Sequence, residues 1–156
     1  PLSTVTTSDT RVEMTQLVLP GLTNTHGTLF GGQLVAWMDT AASVAANRFC
    51  RSAVVTVSID ELHFAQPIEL GDTVVLYAQV NQAWGSSMEI GVRAEREDPR
   101  TGERAHACTG FLTFVRVVDG RPAPLPKLTV EPGQEQRAQD AQGRREARLN
   151  RRANKS

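Results

Sequence analysis

Residues 31–50 read GGQLVAWMDTAASVAANRFC. The run is rich in alanine and has no proline. It predicts one helix of about five turns. On a helical wheel Leu34, Met38, Ala41 and Ala45 share one face, and Trp37 and Val44 share another. Asp39 falls with Gly32, Val35, Ala36, Ala42, Ser43 and Ala46, at spacings of three, four and seven. A helix that is apolar nearly all round is expected to be wrapped by the rest of its chain.

Downstream of this helix the strand signals come one after another. AVVTVSIDELHF (53–64) stops short of Pro67, DTVVLYAQVNQAW (72–84) follows the turn ELGD, and SSMEIGVRAERED (86–98) follows Gly85. ERAHACTGFLTFVRVV (103–118) follows DPRTG. Long strands with short connections favour an antiparallel meander. Upstream, RVEMTQLVLP (11–20) alternates as a first strand and ends at Pro20-Gly21. One long helix against a run of strands makes an α+β domain, with the helix laid on one face of a curved sheet. The domain is expected over 11–130. Residues 1–10 are expected to be a loose N-terminal segment. Residues 131–156 carry no aromatic residue and almost no aliphatic one, and are expected to form a charged tail, disordered or partly helical.

Asp39 is the residue in need of an explanation. A carboxylate on an apolar helix is costly unless it is paired, hydrogen-bonded or open to a ligand. Small neighbours leave room beside it, which makes it a candidate general base or nucleophile. The other reading is structural, with Asp39 capping a loop or pairing with an arginine. Just upstream, Gly31 and Gly32 open the helix, where backbone N–H groups lack internal partners and the dipole end is positive. That is a place for a developing oxyanion. Asn24, in the preceding loop, offers an amide to orient a water or a carbonyl. Asp39 lies seven residues past Gly32, about 10 Å along the helix axis. One reacting atom cannot touch both. A second copy packed about a two-fold axis would bring its own Asp39 to this helix mouth.

Composition narrows the class. The chain has 156 residues, 40% hydrophobic and 22% charged, the size and make-up of one globular domain. Its formal net charge is zero. The body is mildly acidic and the tail basic, so no nucleic-acid groove is expected. No apolar run approaches the roughly 20 residues of a membrane span, and no signal-peptide pattern is visible, so no membrane partner and a cytoplasmic location are expected. Cys50 and Cys108 lack C-x-x-C spacing and are expected to be free, buried thiols. The three histidines, His26, His63 and His106, are scattered without acidic partners at ligand spacing, so no metal site is expected.

Four ordered blocks carry a family resemblance: NTHGTLFGGQLVAWMD (24–39), VVTVSIDELHFAQPIELGDTV (54–74), GSSMEIGVRAERED (85–98) and FLTFVRVVDGRPAPLP (111–126). Together they resemble the hotdog-fold acyl-CoA thioesterases of the acyl-CoA hydrolase group, from about Arg11 to Pro126. The resemblance implies a long central helix wrapped by a five- to six-stranded antiparallel sheet. It implies homodimers with a continuous sheet, assembled further into a trimer of dimers. It implies hydrolysis of fatty acyl-CoA to fatty acid and CoA by water, with no cofactor beyond the coenzyme A of the substrate. The family's catalytic pair, contributed by opposite subunits, falls on Asn24 and Asp39. The coenzyme A surface falls on Gly85, Ser86 and Ser87, and on Arg93, whose guanidinium suits a phosphate. Gly85-Ser86-Ser87 also reads simply as a tight turn, and Arg93 as a sheet-face arginine paired with Glu89 or Glu95.

Two other functions fit the same fold. One is a non-catalytic acyl-CoA or acyl-carrier binding module. The other is a hydratase or dehydratase, which would use a histidine near the helix with an acidic partner. Asp39 has no histidine beside it on the helix, and His26 lies in the preceding loop.

Overall fold

The computed structural model describes residues 3–155. The strands are β1 (Thr4–Thr6), β2 (Val12–Leu17), β3 (Val54–Phe64), β4 (Thr73–Trp84), β5 (Ser87–Glu97), β6 (Arg104–Val118), β7 (Arg121–Pro122) and β8 (Lys127–Thr129). The helices are α1 (Gly31–Cys50) and α2 (Glu135–Ala153). The main sheet runs β2-β4-β5-β6-β3, with β7 added beside β6, and all its pairings are antiparallel. The expected α+β architecture is therefore present.

Only β4, β5 and β6 form a meander. β2 and β3 are the two outer strands of the five, so the chain must cross the whole sheet between them. At 1.5 Å per residue α1 is about 30 Å long, enough to cross five strands spaced about 4.8 Å apart. Its buried face holds Leu34, Met38, Ala41, Ala42, Ala45, Ala46 and Phe49. These pack on alternate residues of the sheet: Leu76, Ala78 and Val80 from β4, Met88, Ile90 and Val92 from β5, and Leu112 and Phe114 from β6. Each large side chain so buried contributes roughly 1.5–3 kcal/mol.

The helix is not wrapped all round. Val44 is exposed on its far side, and Phe30 just before it is exposed as well. The sheet stops at β3, an edge strand whose one neighbour is β6. Val55, Val57 and Ile59 of β3 stay exposed along that edge. An edge of 11 residues with open backbone groups and apolar side chains is a pairing surface.

Both ends of the chain are more ordered than their composition suggests. Residues 1, 2 and 156 lie outside the described residues. The rest of the segment expected to be loose is docked: β1 pairs in parallel with β8, and Thr7 and Thr10 are buried. The Thr10 hydroxyl accepts from the Val80 N–H and donates to the Thr7 carbonyl. Glu131 accepts from the Ser8 N–H at 2.6 Å and the Thr7 hydroxyl at 3.1 Å. These bonds, those from Ser8 above all, hold its carboxyl below the usual range. A carboxylate with a depressed folded-state pKa stabilises the fold above its unfolded-state value, and that contribution is lost as pH falls through the folded value. Glu131→Gln should therefore flatten part of the loss of stability as pH falls below the ordinary glutamate range in urea titrations. Parallel curves for variant and native chain would show that the tie carries no pH dependence.

Of the two forms expected for the tail, the helical one is present. Residues 135–153 form a continuous helix on the outer face of the sheet, opposite α1. Ala138 and Ala141 are buried, and Arg144 and Arg148 continue the same stripe. Apolar area is small here; polar contacts hold α2. Gln79 donates to Gln134 at 2.7 Å, and the Trp84 indole N–H donates to Gln142 at 2.6 Å. Arg144 forks onto Glu89 at 2.7 and 2.9 Å while its guanidinium lies 3.6 Å from the centre of the Phe111 ring. Glu89 is fully buried and also accepts from the Asn81 amide at 3.0 Å. Gly91 makes this approach possible, since a Cβ there would sit 2.7 Å from the Asn81 Nδ2.

Candidate functional site

Asp39 sits near the middle of α1, on the flank that faces past the β3 edge. It is half-buried, not enclosed as its apolar neighbours suggested, because the sheet ends beside it. Its Oδ1 accepts a 2.7 Å hydrogen bond from the Thr56 hydroxyl of β3. Among the described residues Thr56 is the one side chain seen to bond this carboxylate. Oδ2 has no hydrogen-bond donor among the described residues. Among the described residues no arginine pairs with Asp39, so the structural reading based on an ion pair is not met.

Sequence reasoning missed Thr56. It stands 17 residues beyond Asp39, and nothing in TVSID separates it from any other strand threonine. The pairing of β3 with β6, Thr56 opposite Phe114, turns it toward the helix.

Asn24 lies in the loop before α1 and is exposed. Its Oδ1 accepts from the His26 N–H at 2.9 Å and the Thr28 N–H at 3.3 Å, and its Nδ2 donates to the Thr28 hydroxyl at 2.8 Å. The side chain thus shapes its own loop and keeps one amide hydrogen for a ligand. The loop is stitched to the 68–72 turn by the Leu29 N–H on the Ile68 carbonyl at 2.6 Å.

Gly31 and Gly32 start α1, which has no side-chain cap, so their N–H groups point outward from the helix mouth. The Phe30 ring covers Gly32 so closely that a Cβ would meet it at 2.6 Å, and the Phe64 ring stands 3.9 Å from the same point on Gly31. Both rings are exposed, at 60% and 55%, and give the mouth an apolar rim.

Gly85 and Ser86 form the β4–β5 turn and Ser87 opens β5, with Gly85 at φ 54°, a left-handed value that favours glycine. Ser87 is in register with Val115, and Val115 with Val55. The turn therefore lies at the Thr56 end of the sheet, about 10 Å away across two strand spacings. Arg93 does not join it. It lies six residues farther along β5, about 20 Å away. Its neighbours in register are Tyr77 and Thr109, and it pairs with Glu95 at 3.5 Å. Its side chain is on the outer face with Gly91 and Glu89, so the sheet separates it from Asp39 of its own chain. A cleft of about 740 Å³ between this face and α2 is lined by Arg93, Asn81, Gly91, Tyr77, Arg137 and Arg144 among others. It does not adjoin Asp39.

His26 is exposed in its loop, and the His106 ring bonds the Thr109 hydroxyl at 2.7 Å. Among the described residues no three His, Cys, Asp or Glu side chains are grouped to hold a metal ion. Cys50 and Cys108 are free and buried, and burial pushes both thiols up. No described helix is long and apolar enough to cross a membrane.

The description of the thioesterase superfamily matches residues 26–103. The chain is 42% identical over 128 residues to the uncharacterized acyl-CoA thioester hydrolase YkhA of Bacillus subtilis, covering 81% of this chain and 74% of that one. The chain belongs to the thioesterase superfamily. Its fold is the hotdog fold of the acyl-CoA hydrolase group. It is also 42% identical over 146 residues to acyl-coenzyme A thioesterase 11 of Mus musculus, of whose length it spans 24%. Among solved structures, a hexameric acyl-CoA thioesterase superposes with a TM-score of 0.92 at 35% identity, covering 97% of this chain and 99% of that one. The acyl-CoA hydrolase of Staphylococcus aureus, solved with butyryl coenzyme A and coenzyme A, superposes with a TM-score of 0.90 at 32% identity, covering 97% of this chain and 94% of that one. Variants of that hydrolase with an aspartate, an asparagine or a threonine changed to alanine share the fold.

Proposed function

We propose that this chain hydrolyses acyl-CoA thioesters to a fatty acid and free CoA, at sites built by two copies together. The observation that carries the reading is the half-buried Asp39 carboxylate, fixed by Thr56 at one oxygen and without a donor among the described residues at the other. The asparagine, aspartate and threonine replaced in the Staphylococcus aureus hydrolase are spaced fifteen and seventeen residues apart; Asn24, Asp39 and Thr56 repeat that spacing.

In the proposed reaction Asp39 takes a proton from water as the water oxygen bonds to the thioester carbonyl carbon. The carbonyl electron pair moves onto its oxygen, which the Gly31 and Gly32 N–H groups receive. Asn24 orients the water or the carbonyl. Collapse of the tetrahedral intermediate breaks the carbon–sulfur bond, and the leaving thiolate takes the proton back from Asp39. Direct attack by Asp39 to give an anhydride, then opened by water, uses the same groups. Gly85, Ser86 and Ser87 lie at the right end of the sheet to meet coenzyme A. Arg93 would have to act on coenzyme A held by another copy. No metal or cofactor enters the scheme.

The helix mouth and Asp39 are about 10 Å apart on one helix, so the mouth serves the Asp39 of a partner. We assign the β3 edges to the dimer contact, which would continue the sheet, with three dimers assembling further.

Release of free thiol from acyl-CoAs ranging from acetyl to palmitoyl tests the function. The native chain should turn over part of the panel, and Thr56→Val should lower kcat about 10- to 100-fold, the worth of a hydrogen bond to a charged group. Saturable binding with no hydrolysis of any member would replace the enzyme by a binding module.

A further inference from the structure

The β4–β5 turn lies against a segment that the proposed reaction leaves unused. Residues 121–127 read RPAPLPK, with proline at every second position from 122 to 126. Proline fixes φ, so the stretch is stiff before it docks. It is also pinned in place. The Leu125 N–H donates to the Gly85 carbonyl at 2.8 Å, the Ala123 N–H to the Arg116 carbonyl at 3.0 Å, and the Arg116 guanidinium to the Pro124 carbonyl.

Between this segment and the end of β4 lies a cleft of about 330 Å³, lined by Trp84, Gly85, Pro124, Lys127 and Leu128 among others. β4 supplies an indole ring to it, and the segment supplies an exposed lysine. Arg145 of α2 stands 5.1 Å from the centre of the Trp84 ring. Among the described residues neither Lys127 nor Arg145 is in an ion pair. Residues 116–127 carry Arg116, Arg121 and Lys127 against one carboxylate, Asp119, although the body of the chain is acidic. An aromatic ring beside unpaired cations suits a ligand with a flat base and phosphates.

The cleft also lies at a telling distance. Thr56 is in register with Phe114, Phe114 with Met88, and Met88 with Ala83, which lines the cleft. Three strand spacings put it about 14 Å from the Thr56 hydroxyl that holds Asp39. The pantetheine arm of coenzyme A, from sulfur to the first phosphorus, has the length of about four to five extended residues, about 15 Å.

We infer that this cleft receives the nucleotide end of coenzyme A, with the base against the Trp84 indole and a phosphate on Lys127. The inference rests on the reading of the chain as an acyl-CoA hydrolase with the thioester at Asp39. Trp84 and Lys127 bind substrate and take no part in bond breaking. They meet a portion of the substrate that is the same in ground and transition states, so their loss should appear in KM and not in kcat.

The test compares Lys127→Gln, Lys127→Arg and the exposed control Arg152→Gln on two substrates with one acyl group. One is the acyl-CoA, and the other is the S-acyl pantetheine, which has no nucleotide. Lys127→Gln should raise KM for the acyl-CoA about tenfold, the worth of a hydrogen bond between charged groups, with kcat nearly native. On the S-acyl pantetheine it should match the native chain. Lys127→Arg should recover most of the loss, and Arg152→Gln should behave as native on both. Trp84 is read without replacing it, because its indole also anchors α2 through Gln142. In Trp37→Phe it is the one tryptophan left, and free CoA should quench its emission saturably while pantetheine does not. A native KM in Lys127→Gln, or an equal loss on both substrates, overturns the role of Lys127. Trp84 emission indifferent to CoA overturns the placement of the base. Failure of the underlying reading looks different: the native chain would hydrolyse neither substrate, whereas the CoA quench would still report whether the cleft binds the nucleotide.

Discussion

Replacing Asp39 with alanine is expected to lower kcat for acyl-CoA hydrolysis by about 10²- to 10⁴-fold, the range for loss of a positioned acid–base group. The fold should survive. The carboxylate is half-buried on an open flank, and the one partner it leaves is the Thr56 hydroxyl, which has water within reach at the sheet edge. Asn24→Ala should also impair turnover, by removing the amide that orients water or carbonyl. It will loosen its loop as well, because three hydrogen bonds end on that side chain. The proposed two-copy site makes a sharper demand. A heterodimer of Asp39→Ala and Asn24→Ala chains has one site with both residues and one with neither. Unfolding and refolding the two variants together should restore about a quarter of native activity, since half the dimers are mixed and half their sites intact. Each variant refolded alone should stay inactive. If the mixture does no better, Asn24 and Asp39 act from one chain and the two-copy site is wrong.

The largest stability effect is expected at Glu89, far from the reacting groups. Glu89→Ala leaves the Arg144 guanidinium, 17% exposed, without its carboxylate, and the Asn81 amide without an acceptor. Breaking a buried pair on one side costs about 3–5 kcal/mol. Urea unfolding followed by tryptophan fluorescence should show that loss, with Trp84 reporting directly because its indole bonds Gln142 of α2. Glu89→Gln should cost less, as the amide oxygen still accepts. Replacing both partners with apolar residues of similar volume, Glu89→Leu with Arg144→Met, should recover most of the stability, because neither charge then needs a partner. The Glu89 hydrogen bonds hold the Arg144 guanidinium above its usual range, so it stays charged. A Glu89→Ala chain as stable as the native one would mean that α2 contributes little to the fold.

The chain shows where local rules suffice and where they stop. The bounds of α1 coincide with the stretch 31–50, since alanine-rich sequence, a glycine pair at the start and strand-forming residues after it all agree. The four long strands after it were equally legible from β-branched runs between turns. Their order was not: β3 lies beside β6 and β2 beside β4, pairings that depend on which apolar faces meet α1. The docking of the tail was not legible because it uses charge. Gln134, Ala138, Ala141, Arg144 and Arg148 lie at helical spacing, but such a stripe counts as a buried face only when the sheet presents carboxylates to it, as Glu89 and Asp60 do.

Asn24, Asp39, Gly31 and Gly32 could be singled out from sequence because their chemistry conflicts with their surroundings: a carboxylate among alanines, and bare N–H groups at an uncapped helix start. The distance between the last two and Asp39 followed from helix geometry alone, and with it the proposal of a second copy. Thr56 and the separation of Arg93 from the Gly85 turn required the folded sheet. A strand's residues alternate between two faces, and only strand pairing decides which face meets the helix. Sequence by itself determined the elements and the chemistry on them; tertiary structure decided which of those groups share a face, because that depends on register and on contacts between residues far apart in the chain.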